Sequence, residues 1–252
     1  MLTFSESGED AAILLMYLYL REKRVPEHAE PRRSLISLGI EYRYRGLVAG
    51  RFNRQDSHGG GSIARMQRND LLVWMDLELT SVEDALKDKI TEIAVVLTDA
   101  DLNVVAEGPD IIIHVEPEAF AGISSGAEAV HETNHMKELS AQSTTTAAEA
   151  EEQILDFLKA HVVEGTAPLC GNSIHLDRHF LKIQMPAIDT YLFYRCIDVS
   201  TIKELARRYA PDVYEEAKGR KAHKSHRAKD DVFASIDELK FYREHFLKDA
   251  TA

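Results

Sequence analysis

Two carboxylates interrupt the most apolar stretch of this 252-residue chain. Residues 71–80 read LLVWMDLELT, which has the composition of a buried β-strand, yet the stretch contains Asp76 and Glu78. Side chains alternate between the two faces of a strand, so both acids point to one face, about 7 Å apart along it. An unpaired buried carboxylate is costly, and two neighbouring carboxylates repel each other. The stretch therefore indicates either a solvated strand face or a positively charged partner.

A pair of divalent cations is one such partner. Mg²⁺ and Mn²⁺ prefer oxygen ligands, and paired ions about 3.5–4 Å apart occur in phosphoryl-transfer sites. Further candidates are Asp177, on a helix that follows a Gly-Asn-Ser turn, and the pair His226 and Asp231. On one continuous helix this pair would diverge by about 140°, so His226 is predicted in the loop before the last helix. Each residue taken alone is equally typical of a surface acid, a loop histidine or a helix-start acid.

The hydrophobic periodicity predicts a mixed sheet with helices on its faces, an α/β architecture. A polar turn at 98–103 suits a hairpin between the second and third strands. Asp198 or Ser200 is suited to cap the helix that follows. The predicted strands are 71–79, 92–99, 103–115 and 168–174, and the predicted helices are 127–140, 146–163, 176–184, 199–209 and 229–247.

Residues 1–69 differ from the rest in charge. They contain 11 Lys and Arg against 8 Asp and Glu, whereas 70–252 contain 19 against 34. Segment 21–54 is rich in arginine and 55–62 reads QDSHGGGS, a polar linker. Residues 1–69 are therefore predicted to be an N-terminal extension, either a targeting segment or a disordered or adventitious one. The acidic remainder argues against a long basic track for nucleic acid.

Cysteine content and hydropathy bear on the compartment. Cys170 and Cys196 provide no disulfide framework, which favours a reducing environment, cytoplasmic or mitochondrial. No apolar run reaches the roughly 18 residues that a membrane span needs. We therefore expect no membrane association.

Longer phrases in the sequence resemble a known family. The order D-x-E, N-S-x-x-x-D-R and H-x-x-x-x-D, with TEIAVVLTDADLNVVAEGP and DVSTIKELARRY, resembles the DEDDh 3′→5′ exonucleases and, among them, the oligoribonuclease family. The similarity covers about 70–248. It implies a ribonuclease H-like, mixed five-stranded sheet flanked by helices, with 70–252 as the exonuclease domain.

The resemblance assigns roles at the centre of the site. It implies two Mg²⁺ or Mn²⁺ ions per site and a general base, His226, that activates the attacking water. The substrate would be short RNA of about two to five nucleotides, cleaved to nucleoside 5′-monophosphates, since an acidic surface does not hold a long polymer. The implied metal ligands are Asp76, Glu78, Asp177 and Asp231.

The family also implies a homodimer in which each subunit completes the other's site. Tyr194 and Arg195 match residues that reach the neighbouring site, and His135 matches a nucleotide-contacting histidine. Val82 stands where the family has a leucine that wedges between bases. The cap on the 5′-phosphate would combine Ser173 of the catalytic subunit with Arg195, Ser200 and Thr201 of its partner.

Three departures from the family pattern leave alternatives open. Ser81-Val82 replaces Gly-Leu, Val130 replaces a tryptophan and Lys229 replaces a leucine, which bears on base stacking. A DEDDh exonuclease for longer RNA or DNA and a dimeric binding protein without turnover are the alternatives. The G-x-S-x-G stretch at 122–126 also fits a serine hydrolase, although no strand runs directly into it.

Overall fold

Five strands form one sheet in the computed structural model, which describes residues 67–220 and 226–247. They are β1 (Leu72–Leu79), β2 (Ile90–Thr98), β3 (Val104–Ile112), β4 (Pro168–Gly171) and β5 (Phe193–Asp198). Their order across the sheet is β3-β2-β1-β4-β5. The first three strands form an antiparallel meander, while β4 runs parallel to β1 and β5 runs parallel to β4. This confirms the predicted mixed five-stranded sheet.

Helices cover both faces of this sheet. Within the described residues they are α1 (Ser125–Asn134), α2 (Met136–Gln142), α3 (Ala147–His161), α4 (His175–Gln184), α5 (Pro186–Tyr191), α6 (Val199–Tyr209), α7 (Pro211–Gly219) and α8 (Ala228–His245). One core lies between the sheet and helices α3 to α5, and a second lies between the sheet and helices α6 to α8. No helix in the described ranges has both the length and the apolar composition that crossing a bilayer requires.

The alternation along β1 decides which face receives its acids. Val73, Met75 and Leu77 pack into the core beneath α3 to α5. Trp74 points to the opposite face, where it packs with α8 and donates a hydrogen bond from Nε1 to the Thr98 hydroxyl over 2.9 Å. Asp76 and Glu78 share the parity of Trp74, so they continue on the α8 face as the strand leaves the core.

Most predicted elements are confirmed, with shifted ends. The predicted helix 127–140 is wrong as one element, because His135 has φ 55° and separates α1 from α2. β5 was not predicted: it is an edge strand with exposed residues and no clear alternation. Nor were α5 and α7, which are short helices that begin at Pro186 and Pro211.

Turn chemistry agrees with the sequence at two places. The Asp99 carboxylate accepts the amides of Asp101 and Asn103, which closes the predicted hairpin turn. Asp198 caps α6 by accepting the Ser200 amide over 2.9 Å.

The predicted N-terminal extension lies outside the described residues except for its end. There the backbone of Arg68 pairs with Val162 in a parallel bridge, beyond the end of α3. The boundary at residue 69 stays a prediction.

Gly171 lies where β4 approaches β1 most closely. A Cβ there would meet the Met75 carbonyl oxygen at 3.0 Å and Ile174 Cδ1 at 2.8 Å. Because a backbone carbonyl cannot retreat cheaply, Gly171→Ala should lower the free energy of unfolding by roughly 1–3 kcal/mol in urea titrations. Gly219→Ala is the matched control, since nothing lies within 4 Å of its Cβ position. Equal stabilities for the two variants would contradict this account of the β4–β1 contact.

Candidate metal centre

Three carboxylates converge on the α8 face of the sheet. Asp76 and Glu78 come from β1, and Asp231 comes from the first turn of α8. One oxygen of each lies within 4.8 Å of the others. Glu78 and Asp231 are buried and Asp76 is partly buried. Such a cluster repels itself strongly in a partly desolvated setting, and its all-oxygen donor set suits a hard divalent cation.

Asp177 contacts β1 through a hydrogen bond to its backbone rather than through the carboxylate cluster. β4 ends at Gly171, so among the described strands none pairs with the edge of β1 beyond that point. Asp177, in the first turn of α4, accepts the amide of Leu77 over 2.9 Å. Leu77 stands between Asp76 and Glu78, so one oxygen of Asp177 is engaged with the backbone of the acidic segment. Burial raises the pKa of Asp177 to about 7, because desolvation disfavours the ionised form.

His226 stands in the segment before α8, where the spacing to Asp231 predicts it. Its backbone is left-handed, with φ 51°, and its carbonyl accepts a hydrogen bond from the Asn134 side chain over 3.0 Å. The same Asn134 amide nitrogen lies 3.5 Å from Glu78 Oε2. Asn134, the last residue of α1, therefore links the histidine segment to an acid of the cluster.

Sequence reasoning missed two polar residues at this site. Asn134 has no local signal, because its role depends on where α1 ends. Glu92 does have one: it is an acid inside the wholly buried strand β2, the same anomaly that marks Asp76 and Glu78. Its carboxylate accepts hydrogen bonds from Arg227 and from the amide of Ala228.

Two residues predicted to contact bases are exposed. Val82 follows β1 with 60% of its surface accessible, and His135 lies at the break between α1 and α2. The two segments are joined by His131 of α1, whose Nε2 lies 3.0 Å from the Thr80 carbonyl oxygen. The G-x-S-x-G stretch follows a 3₁₀ turn, and its Ser124 caps α1, so the structure does not present a nucleophile elbow there.

The residues predicted to bind phosphate fall into two groups. Ser173 and Ser200 meet within one chain, with their hydroxyl oxygens 3.1 Å apart, and the Ser173 amide donates to Asp198 over 2.9 Å. Arg195 lies on the edge strand β5, where its Nε donates to the Tyr194 hydroxyl over 2.9 Å. Thr201, in the first turn of α6, is exposed, as are Tyr194 and Arg195.

The chain matches proteins of known family over most of the described residues. The family model RNase_T, described as Exonuclease, matches residues 73–239. The oligoribonuclease of Bordetella pertussis is 46% identical over 177 residues, which are 70% of this chain and 96% of that protein. The oligoribonuclease of Marinobacter nauticus is 45% identical over 183 residues, 73% of this chain and 99% of that protein.

Solved structures of exonuclease I share the fold. One exonuclease I structure, whose description concerns how processivity is achieved, superposes with a TM-score of 0.54 at 16% identity. The match covers 69% of this chain and 41% of that chain. E. coli exonuclease I in complex with a 5cy-dT13 oligonucleotide gives 0.53 at 14% identity, over 72% and 42%. At this identity the likeness concerns the fold alone, and it confirms the ribonuclease H-like architecture. The family match and the identity to full-length relatives show that the chain belongs to the exonucleases and, among them, to the oligoribonuclease family.

Proposed function

We propose that the protein is a metal-dependent 3′→5′ exoribonuclease that degrades short RNA to nucleoside 5′-monophosphates. The observation that carries the proposal is the convergence of Asp76, Glu78 and Asp231 within 4.8 Å, in a chain of the oligoribonuclease family. Asp177 and His226 border this cluster through Leu77 and Asn134. The substrate is an RNA of about two to five nucleotides, in keeping with the acidic composition of residues 70–252.

The acids fit a pair of Mg²⁺ or Mn²⁺ ions. The donors are all carboxylate oxygens, the ligands that hard cations prefer, and bound cations would offset their mutual repulsion. Asp76, Glu78, Asp177 and Asp231 would hold the ions. When bound, such ions make water more acidic and stabilise the negative charge on the leaving 3′-oxygen.

His226 would take the proton of the attacking water. Histidine is the side chain that most often acts as a general base, because an imidazole nitrogen can accept a proton from a bound water. The carbonyl of His226 accepts from Asn134, and Asn134 also approaches Glu78. Because Asn134 contacts both Glu78 and the His226 backbone, these contacts support the proposal that His226 acts beside the acids.

The serine cluster suits the other end of a short substrate. The proposed phosphate cap combines the hydroxyl of Ser173 in the catalytic subunit with three groups of the partner subunit. These are the hydroxyls of Ser200 and Thr201 and the guanidinium of Arg195, all of which suit phosphate oxygens. In the free protein Asp198 accepts the amides of both serines. A 5′-phosphate would therefore engage the hydroxyls and Arg195, while Asp198 keeps the turn in place.

The proposed enzyme is a homodimer. On α4, Leu176 and Ile183 are seven residues apart, which places both on one exposed face of the helix, and Tyr194 is exposed on the neighbouring β5. Apolar side chains of this kind on a helix and an edge strand are suited to a partner surface. Such a surface would bring Tyr194 and Arg195 of one subunit towards the site of the other.

The buried Asp177 makes metal-free stability depend on pH. Its pKa in the folded state, about 7, lies above its ordinary value of 3.8. The contribution of this group is therefore fully present below about pH 4 and is lost as the pH rises through 7. Metal-free protein should lose roughly 2–4 kcal/mol more between pH 5 and 8 than Asp177→Asn, whose amide oxygen still accepts the Leu77 amide.

Urea titrations across pH with EDTA, and then with Mg²⁺, measure this effect. Saturating Mg²⁺ should abolish the difference, because a cation compensates the ionised carboxylate. Asp156→Asn, an exposed acid on α3, is the control and should follow wild type. Parallel pH curves for wild type and Asp177→Asn, or a difference that persists with Mg²⁺, would contradict the metal-ligand role.

Substrate length tests the function itself. Wild type with Mg²⁺ should release mononucleotides from a 5′-phosphorylated dinucleotide RNA faster than from one of about twenty nucleotides, and EDTA should stop both. Arg195→Ala should cost ~1.5–3 kcal/mol of transition-state stabilisation on the dinucleotide and less on longer RNA, whose other contacts compensate. Equal rates across the series for wild type would instead indicate a DEDDh exonuclease for longer substrates, and metal-bound protein without any release would indicate a binding protein.

Mixing two impaired variants tests whether the partner completes the site. Asp76→Asn lacks a metal ligand, whereas Arg195→Ala lacks the proposed phosphate contact. In a mixed dimer, one site combines the intact acids of one subunit with the intact Arg195 of the other. A mixed dimer should therefore have about half of the wild-type rate, and a sample co-refolded from equal amounts, in which about half of the dimers are mixed, should recover roughly a quarter of it. Activity no higher than the average of the two separate variants would place both groups in the same subunit's site.

A further inference from the structure

Glu92 is an acid in the interior of the sheet that the metal centre does not use. It is fully buried in β2, directly across from Glu78 in the β1–β2 register. Directly opposed residues share a face, so Glu92 points to the side of the acidic cluster. Burying a carboxylate is costly unless it is paired and hydrogen-bonded. Its partners therefore indicate what it does.

Those partners belong to the segment that follows His226. Glu92 Oε1 accepts hydrogen bonds from Nη2 and Nε of Arg227 over 2.7 and 3.0 Å. Glu92 Oε2 accepts a hydrogen bond from the Ala228 amide over 3.0 Å. Ala228 is the first residue of α8, where amides have no acceptor within the helix. Glu92 thus acts as a helix cap supplied by another strand. A carboxylate is also favoured at that end of the helix dipole.

Neighbouring charged groups support this arrangement. Asp110 of β3 lies beside Glu92, and burial together with the Glu92 charge raises the pKa of Asp110 above its ordinary value. Glu92 therefore has polar neighbours on two sides, Asp110 of β3 and Arg227 before α8. Lys229, in the first turn of α8, forms a second tether to Glu107 of β3 over 2.9 Å.

Two residues with proposed functional roles lie on either side of Arg227 and Ala228, the segment that Glu92 holds. His226 precedes Arg227 and has a left-handed backbone outside any helix, so its placement depends on what holds its neighbours. Asp231 lies one turn into α8, and its amide donates to the Arg227 carbonyl over 3.0 Å. A displacement of Arg227 and Ala228 would move the histidine first, because α8 itself is packed against β1, β2 and β4 along its length.

We propose that Glu92 is a positioning residue for the reaction, acting through Arg227 and the Ala228 amide to hold His226 over the acidic cluster. The inference rests on the proposed function, in which His226 takes a proton from water. Proton transfer requires hydrogen-bond distances, so a small shift of the imidazole lowers turnover without weakening substrate binding.

The test uses Arg227→Ala, which removes a partly exposed side chain but leaves the buried Glu92 charge without its cation, together with Glu92→Gln, which removes that charge. Turnover of a 5′-phosphorylated dinucleotide with Mg²⁺ should fall ~10–100-fold in both variants, with KM within about twofold of wild type. Arg227→Lys, which keeps the charge but not the two-nitrogen fork, should recover only part of the rate. Arg243→Ala is the matched control: it removes an arginine from the far end of α8, where Arg243 bonds to Asp101 over 2.8 Å, and it should keep the wild-type rate.

The double variant of Arg227→Ala and His226→Ala distinguishes an effect that acts through His226 from a general loss of stability. If Arg227 acts through His226, Arg227→Ala should add no further loss of turnover in the His226→Ala background. Losses that multiply, an effect confined to KM, or an equal loss in Arg243→Ala would overturn the proposal.

Two measurements do not depend on turnover. In metal-free protein, hydrogen exchange at the Ala228 amide should accelerate in Glu92→Gln and Arg227→Ala, and calorimetric Mn²⁺ affinity should stay near that of wild type. An unchanged exchange rate at the Ala228 amide would contradict the proposal that Glu92 holds this segment, even if the enzyme is active. A failure of the proposed function is distinguishable, because wild type would then release no mononucleotide, or His226→Ala would match wild type, whatever the exchange rates.

Discussion

The mutual repulsion of carboxylates on one sheet face is the constraint on which the rest of the structure depends. Asp76, Glu78 and Asp231 lie within 4.8 Å of each other while two of them are buried. Because the electrostatic repulsion is unfavourable, packing elsewhere in the fold must hold these chain segments together. That support is the pair of apolar cores, which clamp β1 between α3 to α5 on one face and α6 to α8 on the other.

Helix starts supply part of the compensation within the site. Asp177 lies in the first turn of α4 and Asp231 in the first turn of α8, so two helices begin at the acidic segment of β1. The partial positive charge at a helix N-terminus favours nearby carboxylates. The fold therefore offsets some of the repulsion before any cation binds, and the remainder gives the site its affinity for divalent metal. Departures at Ser81-Val82 and Val130 remove no carboxylate from this centre; of the three residues only Val82 is exposed, while Ser81 is buried and Val130 is partly buried.

Two backbone segments outside regular elements, around His226 and at Ser173, carry polar groups of the site, and each is held by a side chain from a distant part of the sequence. Asn134 and Glu92 hold the segment around His226, and Asp198 holds the turn at Ser173. Both His226 and Ser173 have positive φ, at 51° and 53°. A residue in that region is rarely stable from local preference alone, so these long-range contacts over-determine its conformation.

The sequence alone determined the sheet-forming meander, the acids of β1, the placement of His226 before the last helix and the family. These follow from local patterns: alternation along a strand, helical spacing and contiguous phrases that match the oligoribonucleases. Only the tertiary structure decided the break at His135, the edge strand β5, the meeting of Ser173 with Ser200 and the division of labour between Glu78 and Glu92. Both glutamates are acids in apolar strands on one sheet face, and no local pattern separates them. Their difference arises because Arg227, which is 135 residues along the chain, and the Ala228 amide donate hydrogen bonds to Glu92, whereas Glu78 faces the carboxylate of Asp231.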